Sequence, residues 1–342
     1  MTNSSKHIWH PWLRRLRFSL RGLIVLVLVI GGGLGWLVPM VREARVQRVA
    51  VEAFKQTGGY VKYDRGWRDG QSSWNGASWY PAWLVDRLGV DYFGSVTVAV
   101  IGPRGSDQDM AFLRHLNELE GLIVIGPSYV TDTGINQLVG LNHLERLTLE
   151  HTSLSDASLS HLRELPGLQT LVLCHTKVTD HGMPYLAAIH GLKLLHLDNT
   201  DVSDAGLAHL NALSNLRHLF LEGPKFTDLG LKHLAELKRL QRLYLAGTNI
   251  TDAGMAYVKG LSGLEDLSLD GTKVTDAGLA EVKCLTNLQV MSLANTNVSD
   301  AGLGHLKGLS KLQILDVKNT KVTHAGSQEL RKALPKLKIS RY

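Results

Sequence analysis

The side chains in this sequence that could do chemistry are mostly histidine, serine and aspartate, and their spacing is regular. Thirteen histidines fall in residues 95–342. His161, His209, His233 and His305 share one position of a 24-residue period, where Gln137, Tyr185, Tyr257 and Glu281 also occur. A position that accepts such a mixture reads as a solvated helix face rather than a ligand set. His151 and His175 are neighbours at another position of the period, with Cys174 beside them, but a zinc site built on these three lacks a fourth ligand. The serines and aspartates recur in phase with the period, which marks them as caps. No nucleophile elbow, phosphate-binding loop, dinucleotide fingerprint or His-Glu-x-x-His is present. The sequence therefore predicts no catalytic residue, no cofactor and no metal.

Binding chemistry is better represented. At 24-residue steps the sequence places His196, Phe220 and Tyr244 in one column and Asp198 and Glu222 in a second, with His218 and Arg242 alongside. Exposed aromatics bordered by charge have the composition of a protein–protein interface core. These seven residues are the candidate partner-binding site.

The scaffold that must position them is a repeat. Residues 131–322 align with themselves in eight units of 24, beginning at Thr131, Ser155, Thr179, Ser203, Thr227, Thr251, Thr275 and Ser299. Degenerate units precede and follow, so the array runs over 106–342. Self-similarity at such a period is the mark of a solenoid. In the first unit Ile135, Leu138, Leu141, Leu144, Leu147, Leu149 and Leu154 form an apolar set that no single unit can bury, so neighbours must stack. The Leu-x-Leu pair alternates as a strand does, and same-sense strands from successive units make a parallel sheet. Thr/Ser-Asp at each start supplies an N-cap for a short helix. Glycine follows at 134, 182, 206, 230, 254, 278, 302 and 326, at a cost of about 1 kcal/mol each relative to alanine, which implies a contact too close for a side chain. Thr152, Thr176, Thr200, Thr248, Thr272, Thr296 and Thr320 fall where each strand turns, and Pro224 interrupts that row.

The Leu-x-x-Leu-x-Leu-x-x-Thr pattern resembles the leucine-rich repeat, and the Thr/Ser-Asp-x-Gly opening is closest to its cysteine-containing subtype, although the naming cysteines are missing. The resemblance implies an α/β solenoid, or horseshoe, with a parallel sheet on the concave side and short helices on the convex side. Strands stack about 4.8 Å apart and helices need nearly twice that, so the sheet must take the inside of the curve. The seven candidate residues would then lie on the concave face.

Ahead of the array, residues 1–21 carry five basic residues and no acid, and 22–41 form an uncharged run of 20 centred on Leu-Ile-Val-Leu-Val-Leu-Val-Ile. Twenty helical residues span roughly 30 Å, a bilayer core. The sequence thus predicts a basic cytoplasmic tail, a transmembrane signal-anchor helix and an exported remainder, periplasmic if the source is bacterial. Gly31 and Gly35 form a Gly-x-x-x-Gly that could pair two membrane helices, although small residues of this kind are ordinary in such a segment. Residues 42–105 read as a linker and cap: an amphipathic helix over 41–55, a strand at 60–63, a Trp-rich loop, a helix over Pro81–Leu88 and a first strand near 95–101. Trp67, Trp74, Trp79 and Trp83 are assigned to shielding the exposed end of the array. Cys174 and Cys284 lie at different phases of the repeat and predict no disulfide.

The N-terminal part also resembles a group of bacterial membrane-anchored leucine-rich-repeat proteins, through the apolar run, Gly58-Gly59-Tyr60-Val61-Lys62-Tyr63-Asp64, Trp83-Leu84 and Leu88-Gly89-Val90-Asp91-Tyr92-Phe93. That resemblance implies an extracytoplasmic protein-binding scaffold. Two other readings stay open: a substrate-receptor-like subunit of a ubiquitin ligase, which needs an F-box where this chain has an apolar run, and a structural envelope or adhesion protein. Although the formal charge is +6, residues 95–342 hold 24 bases against 25 acids, so the array offers no footprint for nucleic acid.

Overall fold

The computed structural model describes residues 20–63, 67–68, 71–72 and 94–341. The chain divides into two units that meet between Val46 and Gln47. The first described element is a single helix, α1, Leu20–Gln56, with Pro39 inside it. The sequence reading split this stretch into a membrane helix ending at 41 and a separate amphipathic helix, but the helical pattern runs through without a break. Among the described residues, no helix is long and apolar enough to cross a membrane. Most side chains of the expected membrane run 22–41, and the tail before residue 20, lie outside the described residues.

The second unit is built on one sheet. Its strands are β1 Tyr60–Tyr63, β2 Trp67–Arg68, β3 Gln71–Ser72, β4 Val96–Ile101, β5 Gly121–Ile125, β6 Arg146–Glu150, β7 Thr170–Val172, β8 Leu194–His196, β9 His218–Phe220, β10 Arg242–Tyr244, β11 Asp266–Ser268, β12 Val290–Ser292, β13 Ile314–Asp316 and β14 Lys338–Ser340. From β4 to β14 they follow one another in chain order, each parallel to the next. Register advances by one repeat per strand, so Leu219 faces Leu243 and Phe220 faces Tyr244. The degenerate closing unit is complete in outline, with a helix over His324–Ala333 followed by β14.

Burial follows the apolar pattern closely. The inward set of the first unit, Ile135 to Leu154, is at most 3% exposed at each position. Each such leucine contributes about 1.5–3 kcal/mol of burial energy, available only because the next unit covers it.

Ser and Thr cap the short helices as the sequence predicts: Thr251 Oγ1 accepts from the Ala253 amide at 3.2 Å. The aspartate after each cap has a second role. Asp228 Oδ1 accepts from the Thr251 amide at 2.8 Å and Oδ2 from the Thr251 hydroxyl at 2.6 Å, one unit onward. The same pair of bonds joins Asp107 to Thr131, Asp132 to Ser155, Asp156 to Thr179, Asp180 to Ser203, Asp204 to Thr227, Asp252 to Thr275, Asp276 to Ser299 and Asp300 to Thr323. This carboxylate ladder explains the glycines: a Cβ on Gly254 would stand 2.3 Å from Asp228 Oδ1. Ser158 is the exception in this column, and its hydroxyl donates to the Ser155 carbonyl at 2.7 Å.

The threonines at the strand turns donate to the carbonyl three residues back, as Thr176 does to Leu173 at 2.7 Å. Thr152 departs from this pattern, its buried hydroxyl having no hydrogen-bond partner. At the N-terminal end of the array, β1 pairs antiparallel with β4, and Ala50, Val51, Phe54, Val61 and Tyr63 join the core. Among the described residues, capping there is done by the end of α1 and by β1. Trp74, Trp79, Trp83 and the predicted helix over Pro81–Leu88 lie outside the described residues, as does the side chain of Trp67.

Candidate functional site on the open sheet face

Residues between the two buried leucines of each strand point away from the core and form the open face of the sheet. In this face β8, β9 and β10 set His196, Phe220 and Tyr244 side by side in register. The Phe220 and Tyr244 rings stack with centroids 4.4 Å apart and planes 3° from parallel, while the His196 ring lies 4.4 Å from Phe220 at 36°. Each such contact adds about 0.5–1.5 kcal/mol beyond area burial, so the row is a pre-formed surface rather than three independent side chains. All three are half-buried, leaving ring area available to a partner.

The polar candidates gather around this row. His196 Nε2 contacts Asp198 Oδ2, and Asp198 Oδ1 accepts from the Glu222 amide at 2.8 Å. On the other side Arg242 lies in register with His218. The structure thus brings all seven predicted residues together in three adjacent units. It adds Asp266, whose carboxylate accepts from the Tyr244 hydroxyl and fixes the ring.

Electrostatics divide the patch. Burial, then the charge of Asp198, raises the Glu222 pKa above the ordinary carboxylate value. Burial, then Arg242 and Arg217, lowers that of His218, so its imidazole is neutral at pH 7. Burial and the bond to Asp266 push the Tyr244 phenol up to about 12. The aromatic row therefore separates an acidic flank, Asp198 and Glu222, from a basic flank at Arg242. Beyond the acidic flank, where Pro224 replaces the turn threonine, a cleft of about 240 Å³ opens between Asn199, Asp201, Glu222 and Lys225.

The histidines that suggested zinc are arranged differently from the sequence reading. His151 and His175 occupy the turn after the strand with positive φ (52° and 56°), the position filled elsewhere by Asn or Gly. Their rings stack on each other at 4.0 Å. Cys174 instead joins His196 and Asp198, with Sγ, an imidazole nitrogen and a carboxylate oxygen all within 4.8 Å of one another. The set expected from the sequence, His151, His175 and Cys174, does not include this grouping. The signal available was the register: Cys174 and Asp198 are 24 residues apart, at one position of the period.

A stack of 24-residue units, each giving one short parallel strand and one short capped helix around a leucine core, defines a leucine-rich-repeat solenoid. Residues 173–340 match the family model described as leucine-rich repeat region, and this part of the chain is such a region. Among solved structures the chain is similar to an internalin (inlF) from Listeria monocytogenes, with 17% identity over 75% of this chain and 92% of that one, at a TM-score of 0.46. It is also similar to internalin C2 from the same organism, with 21% identity, 70% and 84% coverage and a TM-score of 0.43. No curated protein sequence matches the chain.

Proposed function

We propose that this protein is a membrane-anchored scaffold that holds a protein or peptide on the sheet face of its repeat array, outside the cytoplasm. The observation that carries the binding half is the stacked row His196–Phe220–Tyr244, flanked by an acidic and a basic side. An evenly repeated scaffold has no structural need for three aromatics in register on its open face. Their partial exposure leaves apolar area that a partner would bury at about 25 cal/mol per Å². A peptide carrying an apolar side chain between a basic and an acidic residue matches the charge order of the patch. The anchoring half is supported by the sequence: the uncharged run 22–41 is bilayer length, and the basic residues before it favour a cytoplasmic N-terminus. On this reading Gly31 and Gly35 are available to pair two such helices.

The test is crosslinking and pull-down from membranes, comparing wild type with a Phe220→Ala/Tyr244→Ala variant of verified fold. A partner recovered with wild type and lost with the variant places binding on this patch. Equal recovery with both removes the patch from the account and favours a structural role for the array.

A further inference from the structure

We propose that Cys174 Sγ, His196 Nε2 and Asp198 Oδ2 form a binding site for a zinc(II) ion at the edge of the open sheet face. The three donor atoms already lie within 4.8 Å of one another. Tetrahedral zinc with bonds of about 2.0–2.3 Å needs its donors roughly 3.3–3.7 Å apart, so the wider-spaced donors must close by about 1 Å and the touching His196 Nε2 and Asp198 Oδ2 must part by about as much. Small rotations about side-chain bonds supply that without leaving a staggered well.

The backbone that carries the donors is held in place. Val172 and His196 are in register across β7 and β8. Two residues beyond them, the Cys174 carbonyl accepts from the His151 amide at 3.0 Å and the Asp198 carbonyl from the His175 amide at 3.1 Å. Outer contacts orient two of the donors. Asp198 Oδ1 is engaged by the Glu222 amide at 2.8 Å, Oδ2 meets His196 Nε2 where an ion would have to enter between them, and the His196 ring rests against Phe220. Partners of this kind fix ligand geometry in known metal sites.

Charge favours a cation here. The charged side chains acting on Cys174 are Asp198 and Glu150, and those acting on Glu222 are Asp198, His196 and Asp270. Two further carboxylates, Glu150 and Glu222, thus act on members of the trio. A thiolate, a carboxylate and a neutral imidazole balance a divalent ion, and thiolate with imidazole selects zinc among common cations. Binding is an exchange without redox change: the Cys174 thiol releases its proton to solvent, the proton between His196 Nε2 and Asp198 Oδ2 gives way to the metal as the ring takes its Nδ1–H tautomer, and the sulfur and Nε2 lone pairs bond the ion. Three protein ligands leave a fourth position for water or for a donor on a bound partner.

The experiment uses full-length reduced protein in detergent, stripped with a chelator and titrated with cobalt(II), a coloured stand-in for zinc. The expected result is one cobalt per chain, with a thiolate-to-metal charge-transfer band that zinc abolishes by competition. The band should persist in Cys284→Ser and in Tyr244→Ala, disappear in Cys174→Ser, and require at least tenfold more cobalt in Asp198→Asn. Persistence in Tyr244→Ala makes the result independent of the peptide-binding reading. No thiolate band in wild type, a band that survives Cys174→Ser, or one lost with Cys284→Ser overturns the proposal. The wild-type and Cys284→Ser spectra decide the matter even if Cys174→Ser does not fold.

Discussion

The two faces of the repeat array obey different rules. On the capped-helix side, every unit from Asp107 to Thr323 repeats the same aspartate-to-hydroxyl bonds, and glycine follows in every unit but that of Ser158, with the carboxylate oxygen 2.0–2.5 Å from a would-be Cβ. On the sheet side, the outward positions vary freely: Thr148, Val172, His196, Phe220, Tyr244, Ser268, Ser292 and Asp316 share one column. Repetition marks what stacking requires, because each unit must meet an identical neighbour. Variation marks what stacking leaves free, and only three adjacent units fill that freedom with aromatic rings in contact.

The contrast can be broken most sharply at two neighbouring residues. Leu219 is fully buried, whereas Phe220, the next residue, faces outward. Leu219→Ala should cost about 2–5 kcal/mol in denaturant unfolding. Phe220→Ala should cost less than Leu219→Ala, about 1–3 kcal/mol from its two ring contacts. Equal costs would erase the distinction between scaffold and surface.

Gly254→Ala comes next. Helix propensity favours alanine by about 1 kcal/mol, yet the new Cβ would meet Asp228 Oδ1 at 2.3 Å. The variant should therefore unfold at lower denaturant than wild type, by roughly 1–3 kcal/mol. In an Asp228→Ala background the same change should turn neutral or favourable, and a double-mutant cycle measures that coupling. Additive effects would sever the link between the aspartate and glycine columns.

A smaller effect concerns His218. Its folded pKa lies below the ordinary value of 6.5, because of burial and then Arg242 and Arg217. The sign follows from linkage: stability is full above pH 6.5 and declines as pH falls through the folded pKa, since the unfolded state takes up the proton first. His218→Gln should flatten that decline, and Arg242→Gln should move the His218 titration, read by NMR, back toward 6.5. A His218 that titrates at 6.5 in both proteins contradicts this description of the basic flank.

How much of this was legible beforehand depended on whether the cause lay within one unit or between two. The period alone located the strands, the buried leucines, the helix caps and the left-over outward positions, because each depends on a residue's phase. It also marked the glycines as close contacts. What it missed were contacts across units: the aspartate that crowds each glycine comes from the preceding repeat, and Cys174 meets Asp198 across the sheet rather than His175 along the chain. Ahead of the array there is no period to read. There composition changes from apolar to charged near residue 41 while the helix runs on to Gln56, so composition does not mark the end of the element. The tryptophan side chains given the capping role lie outside the described residues, and among those described Phe54 and Val61 join the core at that end.

The central claim, that the sheet face and not the helix face binds, is tested most directly by site-specific photo-crosslinking on membranes. One crosslinker replaces Arg242, exposed beside the aromatic row, and another replaces Tyr257, 40% exposed on a helix. The account predicts a discrete crosslinked species from position 242, absent from position 257 and lost when Phe220→Ala is added. The same species from both positions, or one from position 257 alone, would contradict it.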